Sequence, residues 1–472
     1  MDIKQLYQLY KQHPCITTDS RDCPEGSIFL ALKGETFDGN KFALQALEKG
    51  CAYAIIDDKD INSNDRLILV DDCLQTFKDL AREHRRQFDI PVIGITGTNG
   101  KTTTKELVAA VLSQKYNVLY TQGNYNNDVG VPKTLFRLSE KHEIAVIEMG
   151  ASHPGDIKTL AETAEPTCGL ITNVGRAHLQ GFGSFEGVIK TKCELYDFLR
   201  TQKDGLIFIN ADNEYLMDQI GEDEEIWLSP YSTDPEKQYT CISGEIISCA
   251  PFLKFRWREP LMVLEEERQQ VDASAGMARS TKWHKVQTQL IGAYNIDNLL
   301  AAIAVGINFG VERKKICKAL EDYKPSNNRS QMTITEKNHL IVDAYNANPS
   351  SMMAALENFN MMDVHGKMVI LGDMRELGDA SAEEHQNIVD YLTSMNLSDV
   401  WLVGEEFSKT RCDFMKFKDV DEVKTAIREG KSTLMQLVLS VPDEEQAAAI
   451  CGRWQSASQK VYSLVMDELL SD

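Results

Sequence analysis

The sequence predicts an α/β protein of three units, and three observations lead there. Its 472 residues correspond to about three domains of ordinary size. Short β-branched and apolar runs alternate with helical segments, the pattern of mostly parallel sheets covered on both faces. Between residues 90 and 114 one such run stops at glycines and passes straight into a helix. We therefore expect a small α/β domain over residues 1–88, a central, mostly parallel sheet over 89–322, and a Rossmann-like C-terminal domain over 323–472.

The elements follow in order. Residues 28–32 and 52–56 read as short strands, and 41–50 as an amphipathic helix closed by Gly50. Residues 77–88 read as a helix leading out of the first unit. The central unit opens with an apolar strand at 90–96 and a helix at 101–114. Buried strands are expected at 143–149 and 168–174, and a helix at 188–199. Residues 256–285 are highly charged and poor in strand signals, which suits a surface insertion or long hairpin. Residues 295–310 are a strongly apolar helix ended by Gly310. A proline and paired asparagines within 323–329 suit a hinge. The last unit offers strands at 339–345, 367–374 and 399–404, with helices between. His385 reads as a helix surface residue, whereas the phenylalanines and methionines there read as core. Residues 432–441 can supply a strand completing the last sheet, though their leucines also suit a helix. Residues 444–470 carry apolar side chains at helical spacing and read as a docked helix.

Composition excludes several function classes. Fifty Lys and Arg stand against 71 Asp and Glu, a net charge of −21. A general binder of nucleic acid or anionic membrane needs a basic surface, so the partners expected are small molecules. No run approaches the ~20 apolar residues of a membrane-spanning helix, and the first residues lack the apolar core of a signal peptide. Eleven cysteines, an odd number with no C-x-x-C spacing, suit reduced thiols and a cytoplasmic location. A monomer is expected.

Residues 94–102 read Gly-Ile-Thr-Gly-Thr-Asn-Gly-Lys-Thr. They miss the usual G-x-x-x-x-G-K-[ST] phosphate loop by one place, because Ile95 stands where the first glycine belongs. Gly97, Gly100, Lys101 and Thr102 keep the chemistry. Glycines let backbone N–H groups approach phosphate oxygens, and a helix N-terminus favours negative charge. Lys101 would reach the β- and γ-phosphates of ATP, and the Thr102 hydroxyl would hold Mg²⁺. Thr98, Asn99 and Thr103 complete the ATP loop. The plain alternative is a glycine-rich turn with a chance lysine; the strand before and the helix after argue against it.

Residues 96–102 resemble the ATP loop of the Mur ligases and folylpolyglutamate synthetases. Further segments narrow the resemblance to the Mur ligase family: Asp-Ser-Arg at 19–21 with 26–42, then 123–135, 147–152, 172–184, 343–352 and 371–378. Within that family they are similar to the branch that adds D-alanyl-D-alanine to a UDP-N-acetylmuramoyl tripeptide. The resemblance runs from residue 19 to about 385. Two departures stand out. Tyr294 occupies a position where the family usually has histidine. The usual K-G-S motif of the last domain is missing after Gly430, and residues 431–472 do not resemble the family.

The resemblance implies a UDP-substrate domain, an ATP-binding domain and a ligase domain, in that order. It implies ATP-driven amide formation through an acyl phosphate, in peptidoglycan precursor synthesis. Catalytic roles fall to Lys101, Glu148, His178 and Lys192. Glu148 ends an apolar strand and would ligate Mg²⁺ with Thr102; His178 would support a second ion. Lys192, rather than Lys190, would be carbamylated, which turns a cation into an anionic oxygen ligand. Asn295, Asn298, Arg329 and Asp343 would complete the ATP site. Ser20 and Arg21 would contact uridine diphosphate. Asn126 and Asn127 would meet the muramoyl peptide, and Tyr345, Asn346 and Asn348 the dipeptide side. Two alternatives stay open at this point. One is a sibling ligase adding a single amino acid, which would be expected to carry a D-N-P-R type motif where this chain has Asn346-Ala347-Asn348-Pro349-Ser350-Ser351. The other is a phosphate-loop ATPase or switch protein that does not ligate.

Overall fold

The structure, a computed structural model, describes residues 1–34, 36–61, 64–221, 226–237, 239–249, 252–260, 282–325, 331–334, 339–343, 347–362, 367–395, 397, 399–428 and 436–440. The strands form three sheets. The first is β1 (Ile16–Thr17), β2 (Ile28–Leu30), β3 (Tyr53–Ile56) and β4 (Leu67–Leu69), all parallel and in chain order. The second has nine strands: β5 (Val92–Thr96), β6 (Val118–Tyr120), β7 (Ile144–Glu148), β8 (Cys168–Ile171), β9 (Leu206–Asn210), β10 (Trp227–Ser232), β11 (Ile242–Cys249), β12 (Phe252–Arg258) and β13 (His284–Ile291). Their spatial order is 13-12-11-10-9-8-5-7-6. The strands from β6 to β11 run parallel, while β12 and β13 add an antiparallel hairpin at one edge. The third holds β14 (Gln331–Ile334), β15 (His339–Asp343), β16 (Lys367–Gly372), β17 (Asp399–Val403), β18 (Met415–Phe417) and β19 (Gln436–Ser440), in the order 14-15-19-16-17-18.

The central sheet is built as its sequence requires. Every residue of β5, β7 and β8 is buried, because helices cover both faces. Successive side chains point to opposite faces. Ile93, Ile95, Ile144 and Val146 join one core with the helices Lys101–Leu112 and Asn295–Asn308. Val92, Ala145 and Ile147 join the other, with the helices Gly130–Leu135, Asp156–Ala164 and Phe185–Arg200. The helix Asn295–Asn308 is apolar almost all round because it sits between the phosphate-loop helix and the sheet. In chain order β5 is followed by β6 and β7 on one side and by β8 on the other. The C-terminal end of β5 is therefore the switch point where a crevice opens.

Several expectations shift in register. The helix leading out of the first unit spans Cys73–Arg85, starting earlier because Asp72 caps it by accepting from the Gln75 N–H at 2.7 Å. The charged segment after residue 256 is entered and left by the hairpin β12–β13, and residues 261–281 lie outside the described residues. Residues 436–440 do form a strand. It fills the space between β15 and β16, parallel to both. The docked helix expected over 444–470, and most of the hinge at 323–329, lie outside the described residues. One expectation is corrected: His385 is not a surface residue. It is fully buried, its Nε2 accepting from the Met374 N–H at 3.0 Å and its Nδ1–H donating to the Ser381 carbonyl at 2.7 Å. A lone histidine in a polar helix gives no sign of such a loop contact. Most of the described phenylalanines and methionines of this unit do form core, with Met352, Phe359 and Phe407 buried, whereas Met361 and Met415 are exposed.

His84 joins the first unit to the second. The Tyr7 hydroxyl donates to its Nδ1 at 3.0 Å, and its Nε2–H donates to the Leu138 carbonyl at 3.2 Å. Phe136 stacks on the ring, with Tyr10 and Phe88 at its edges. Burial holds its pKa below the ordinary histidine value, with the bond to Leu138 opposing in part. The unfolded chain thus binds a proton more readily than the folded one. The stability from neutral His84 is complete above the unfolded pKa of ~6.5 and is lost as pH falls below it. Thermal melting should fall between pH 7.5 and pH 5.5, and His84→Gln should flatten part of that fall. An unchanged slope in the variant would show that His84 contributes nothing to it.

Candidate functional site

The glycine loop leaves the end of β5 and enters the helix Lys101–Leu112. Gly97 has φ 141° and Gly100 φ 78°, both in the left-handed region. Space also demands glycine here: a Cβ on Gly97 would lie 2.0 Å from the Thr172 hydroxyl, and one on Gly100 would lie 2.6 Å from Asn298 Oδ1. Side chains from β8 and beyond clasp the loop. The Asn99 N–H donates to Asn173 Oδ1 at 2.9 Å, while Thr172 Oγ1 and Asn173 Nδ2 both donate to the Asn99 carbonyl. Lys101 curls over its own loop and donates to the carbonyls of Gly97 and Thr98 at 2.9 and 2.8 Å.

Behind the loop, Glu148 is 1% exposed at the end of β7. Its Oε1 accepts from Thr102 Oγ1 at 3.0 Å and from Asn126 Nδ2 at 2.9 Å. Its Oε2 is buried without a hydrogen-bond partner. An orphaned carboxylate oxygen is costly, and a hard cation would satisfy it, with the Thr102 hydroxyl as a second oxygen. Among the described residues there is no group of three or more His, Cys, Asp or Glu that could hold a metal ion. The donors therefore suit a cation that keeps water and phosphate oxygens as its other ligands.

Lys192 lies on the helix Phe185–Arg200, buried, with its Nζ 3.5 Å from the Ala151 carbonyl and over the Phe182 ring. Burial first, and the charge of Lys101 second, bring its pKa down to about 7. Lys190, two residues earlier, is exposed. Helical geometry points the two in different directions, and only one enters the interior.

The third unit closes on the loop from above. Asn348 caps the helix Pro349–Met361, and its amide pairs reciprocally with that of Asn99, Nδ2 donating to Asn99 Oδ1 at 2.8 Å. Arg176 pairs with the buried Glu384 at 3.0 Å. His178 Nδ1 pairs with Glu376. Both partners are non-glycine residues in the left-handed region, with φ 50° and 61°. The bond from His178 lowers the Glu376 pKa, with the imidazole charge adding to it.

A cavity of about 880 Å³ runs through this junction. Thr98, Asn99, Gly100, Lys101, Thr103, Asn126, Asn127, Glu148, His178, Asn295, Asn298 and Asn348 all line it. Gly97, Thr102 and Lys192 are not among its lining residues, though Thr102 bonds to the lining Glu148 and Lys192 to the carbonyl of the lining Ala151. Some asparagines do structural work as well. Asn127 Oδ1 accepts from the Gly130 N–H at 2.8 Å, and Asn298 Oδ1 accepts from the Thr104 hydroxyl at 2.9 Å. Asn298 in turn donates to Asn295 Oδ1 at 2.9 Å. Tyr294 also lines the cavity. Ser20 and Arg21 are not among the lining residues. Arg21 is a highly exposed side chain that forks Asp19. The backbone of Asp343 ends β15 at the C-terminal edge of its sheet. Arg329, Tyr345 and Asn346 lie outside the described residues.

Sequence reasoning missed several residues of this region. Asn173 and Glu376 fall inside segments that carried the family resemblance, yet nothing marked them singly. Asp297 lines the cavity between Asn295 and Asn298, and burial, aided by the charge of Asp212, pushes its pKa up to about 6. Lys78 reaches the cavity from the first unit and gave no sequence signal.

Comparison with known proteins agrees with this geometry. The Mur ligase family catalytic domain matches residues 14–86, the Mur ligase middle domain 95–306, and the Mur ligase glutamate ligase domain 328–458. The last match corrects the expectation that residues from 431 onward do not resemble the family, since it reaches residue 458. The UDP-N-acetylmuramoyl-tripeptide–D-alanyl-D-alanine ligase of Bacillus subtilis is 33% identical over 395 residues, 83% of this chain and 80% of that one. MurF from Acinetobacter baumannii aligns with a TM-score of 0.82 at 26% identity, covering 98% of both chains. A further Acinetobacter baumannii structure, the UDP-N-acetylmuramoylalanyl-D-glutamyl-2,6-diaminopimelate–D-alanyl-D-alanyl ligase, aligns with a TM-score of 0.78 at 26% identity, over 98% of this chain and 97% of that one. With its three matched segments, its ordered motifs and its conserved architecture, the chain belongs to the Mur ligase family.

Proposed function

We propose that this chain is an ATP-dependent ligase joining D-alanyl-D-alanine to a UDP-N-acetylmuramoyl tripeptide, a step of peptidoglycan precursor synthesis in the cytoplasm. Residues 1–88 bind the UDP substrate, 89–322 bind ATP, and 323–472 form the ligase domain. The observation that carries the reading is the single cavity shared by the phosphate loop, the buried Glu148 and the third unit's Asn348. A ligase needs its donor phosphate, its carboxylate and its amine in one enclosed space. Among the described residues, no helix is long and apolar enough to cross a membrane.

In the proposed reaction the terminal carboxylate of the tripeptide takes the γ-phosphoryl group of ATP. The amine of D-alanyl-D-alanine then displaces phosphate from the acyl phosphate. The chain's own part is positioning and charge neutralisation. Lys101 leaves the Gly97 and Thr98 carbonyls to hold phosphate oxygens. Thr98, Asn99 and Thr103 shape the ATP loop, and Asn295, Asn298, Arg329 and Asp343 complete the nucleotide site. Asn126 fixes the orientation of Glu148 and, with Asn127, faces the muramoyl peptide. Ser20 and Arg21 take the uridine diphosphate, while Tyr345, Asn346 and Asn348 form the dipeptide side. Glu148 and Thr102 would hold Mg²⁺, with His178 and carbamylated Lys192 supporting a second ion; Mg²⁺ supplies neutralisation of phosphate charge. Closure of the third unit over the loop keeps water from the acyl phosphate.

Lys192 suits carbamylation because its lowered pKa leaves much of it as free amine near neutrality. A free amine adds CO₂ and releases one proton; an ammonium cannot. Above pH 7 the modification is therefore favoured, and below it protonation competes.

The deciding assay supplies ATP, UDP-muramoyl tripeptide and D-alanyl-D-alanine and identifies the product by mass. ADP release that requires neither acceptor would instead mean a non-ligating ATPase. Lys101→Ala should lower turnover by at least 10²–10³-fold, the usual effect of removing one transition-state charge contact, without loss of fold. Near-normal turnover in a folded variant would end the phosphate-loop assignment. Lys192→Ala should lose most activity and regain part of it with added short carboxylic acids, more so than Lys190→Ala, which should be mild. Sensitivity at Lys190 in place of Lys192 would refute the carbamate assignment.

A further inference from the structure

Lys78 sits on the helix Cys73–Arg85, which packs against the helices Gly130–Leu135 and Asp156–Ala164 of the central unit. Among the described residues of 1–88 it is the only one that lines the cavity. Its neighbours one turn away on the helix are Leu74, Gln75, Ala81 and Arg82, none of them acidic. The adjacent Asp79 is taken by Arg82 at 2.7 Å and Gln75 at 3.0 Å. Among the described residues, no carboxylate lies within ion-pair distance of the Lys78 ammonium. A lysine in a cleft with no internal partner is placed to meet an anion from outside.

The charges of the cavity say which anion. Its lining carries four acids, Asp128, Glu148, Asp156 and Asp297, and two lysines, Lys101 and Lys78. Lys101 is committed to the phosphate loop. A peptide substrate that brings further carboxylates into this acidic space is repelled unless Lys78 offsets them. A glutamyl unit within a peptide keeps one carboxylate that its amide links do not use. The uridine diphosphate is a less suitable partner. Ser20 and Arg21 lie outside the cavity lining, as does Lys133, whose charge acts on the neighbouring Asp19.

We propose that Lys78 binds a carboxylate of the muramoyl-peptide substrate that the reaction does not consume, holding the peptide so that its terminal carboxylate meets the phosphate loop. This rests on the ligase function proposed above. It makes the first unit a contributor to the reaction cavity as well as a holder of the nucleotide end.

The test is steady-state kinetics on the full chain with ATP, D-alanyl-D-alanine and UDP-muramoyl tripeptide. Lys78→Met keeps the aliphatic stem and removes the charge. It should raise KM for the tripeptide roughly tenfold, as expected for one partly screened charge contact, while kcat and KM for ATP stay unchanged. Lys78→Arg should restore most of the loss. A tripeptide whose glutamyl carboxylate is a primary amide separates the possible anions: wild type and Lys78→Met should then share one KM. An unaltered KM for the acidic tripeptide overturns the proposal. So does the same tenfold ratio with the amidated one, which would point to the diphosphate. A rise in KM for ATP would place Lys78 at the nucleotide instead and also overturn it. Thermal melting, with Lys78→Gln as a second variant, checks that the fold is intact. Wild type that ligates with no Lys78 effect defeats this inference alone; wild type that does not ligate defeats the ligase reading and this inference with it.

Discussion

The backbone of residues 97–100 is the constraint on which the rest depends. A phosphate must be able to approach it, so it cannot be folded into ordinary secondary structure. The chain meets this by holding the loop from outside. Thr172 and Asn173 grip Asn99 from the end of β8, Asn298 presses against Gly100 from another helix, and Asn348 pairs with the Asn99 side chain from the third unit. Three segments far apart in sequence converge on four residues.

The same economy governs the charges behind the loop. Glu148 is held by two donors on one oxygen and left open on the other. Its own N–H donates to the Thr121 hydroxyl, while the Thr121 carbonyl accepts from the wholly buried Lys105. The carboxylate is thus locked to β7 and to the phosphate-loop helix at once. Such fixing lets an open oxygen face a cation at little reorganisation cost. Lys192 is the counterpart on the other side: a buried amine made less basic by its surroundings, and so able to react where an exposed lysine would stay charged.

Among the described residues, the second and third units meet through polar contacts, an amide pair, Arg176 with Glu384, and His178 with Glu376, beside an apolar patch where Ile291 and Phe252 join the third unit's core. The polar contacts of this joint exchange for water at modest cost, unlike the aromatic packing around His84 between the first and second units. The left-handed backbone at His178 and Glu376 adds strain at the joint, which suits a contact that forms when the units meet.

The sequence by itself determined the sheet order of chemistry: apolar runs that alternate with helices, a glycine loop between strand and helix, and motifs whose resemblance named a family. Glycine could be predicted at 97 and 100 because no other residue allows the turn. Local patterns of this kind are written in neighbouring residues. The tertiary structure decided what neighbours cannot encode. It buried Lys192 and exposed Lys190, although both sit in one helical run. It buried His385 beneath a loop it had no sequence reason to meet, inserted β19 between two strands that precede it by about 70 to 100 residues, and carried Lys78 from the first unit to a cavity built by the others. Burial, pairing and lining depend on segments brought together across the chain, and those are settled only when the sheets close their cores.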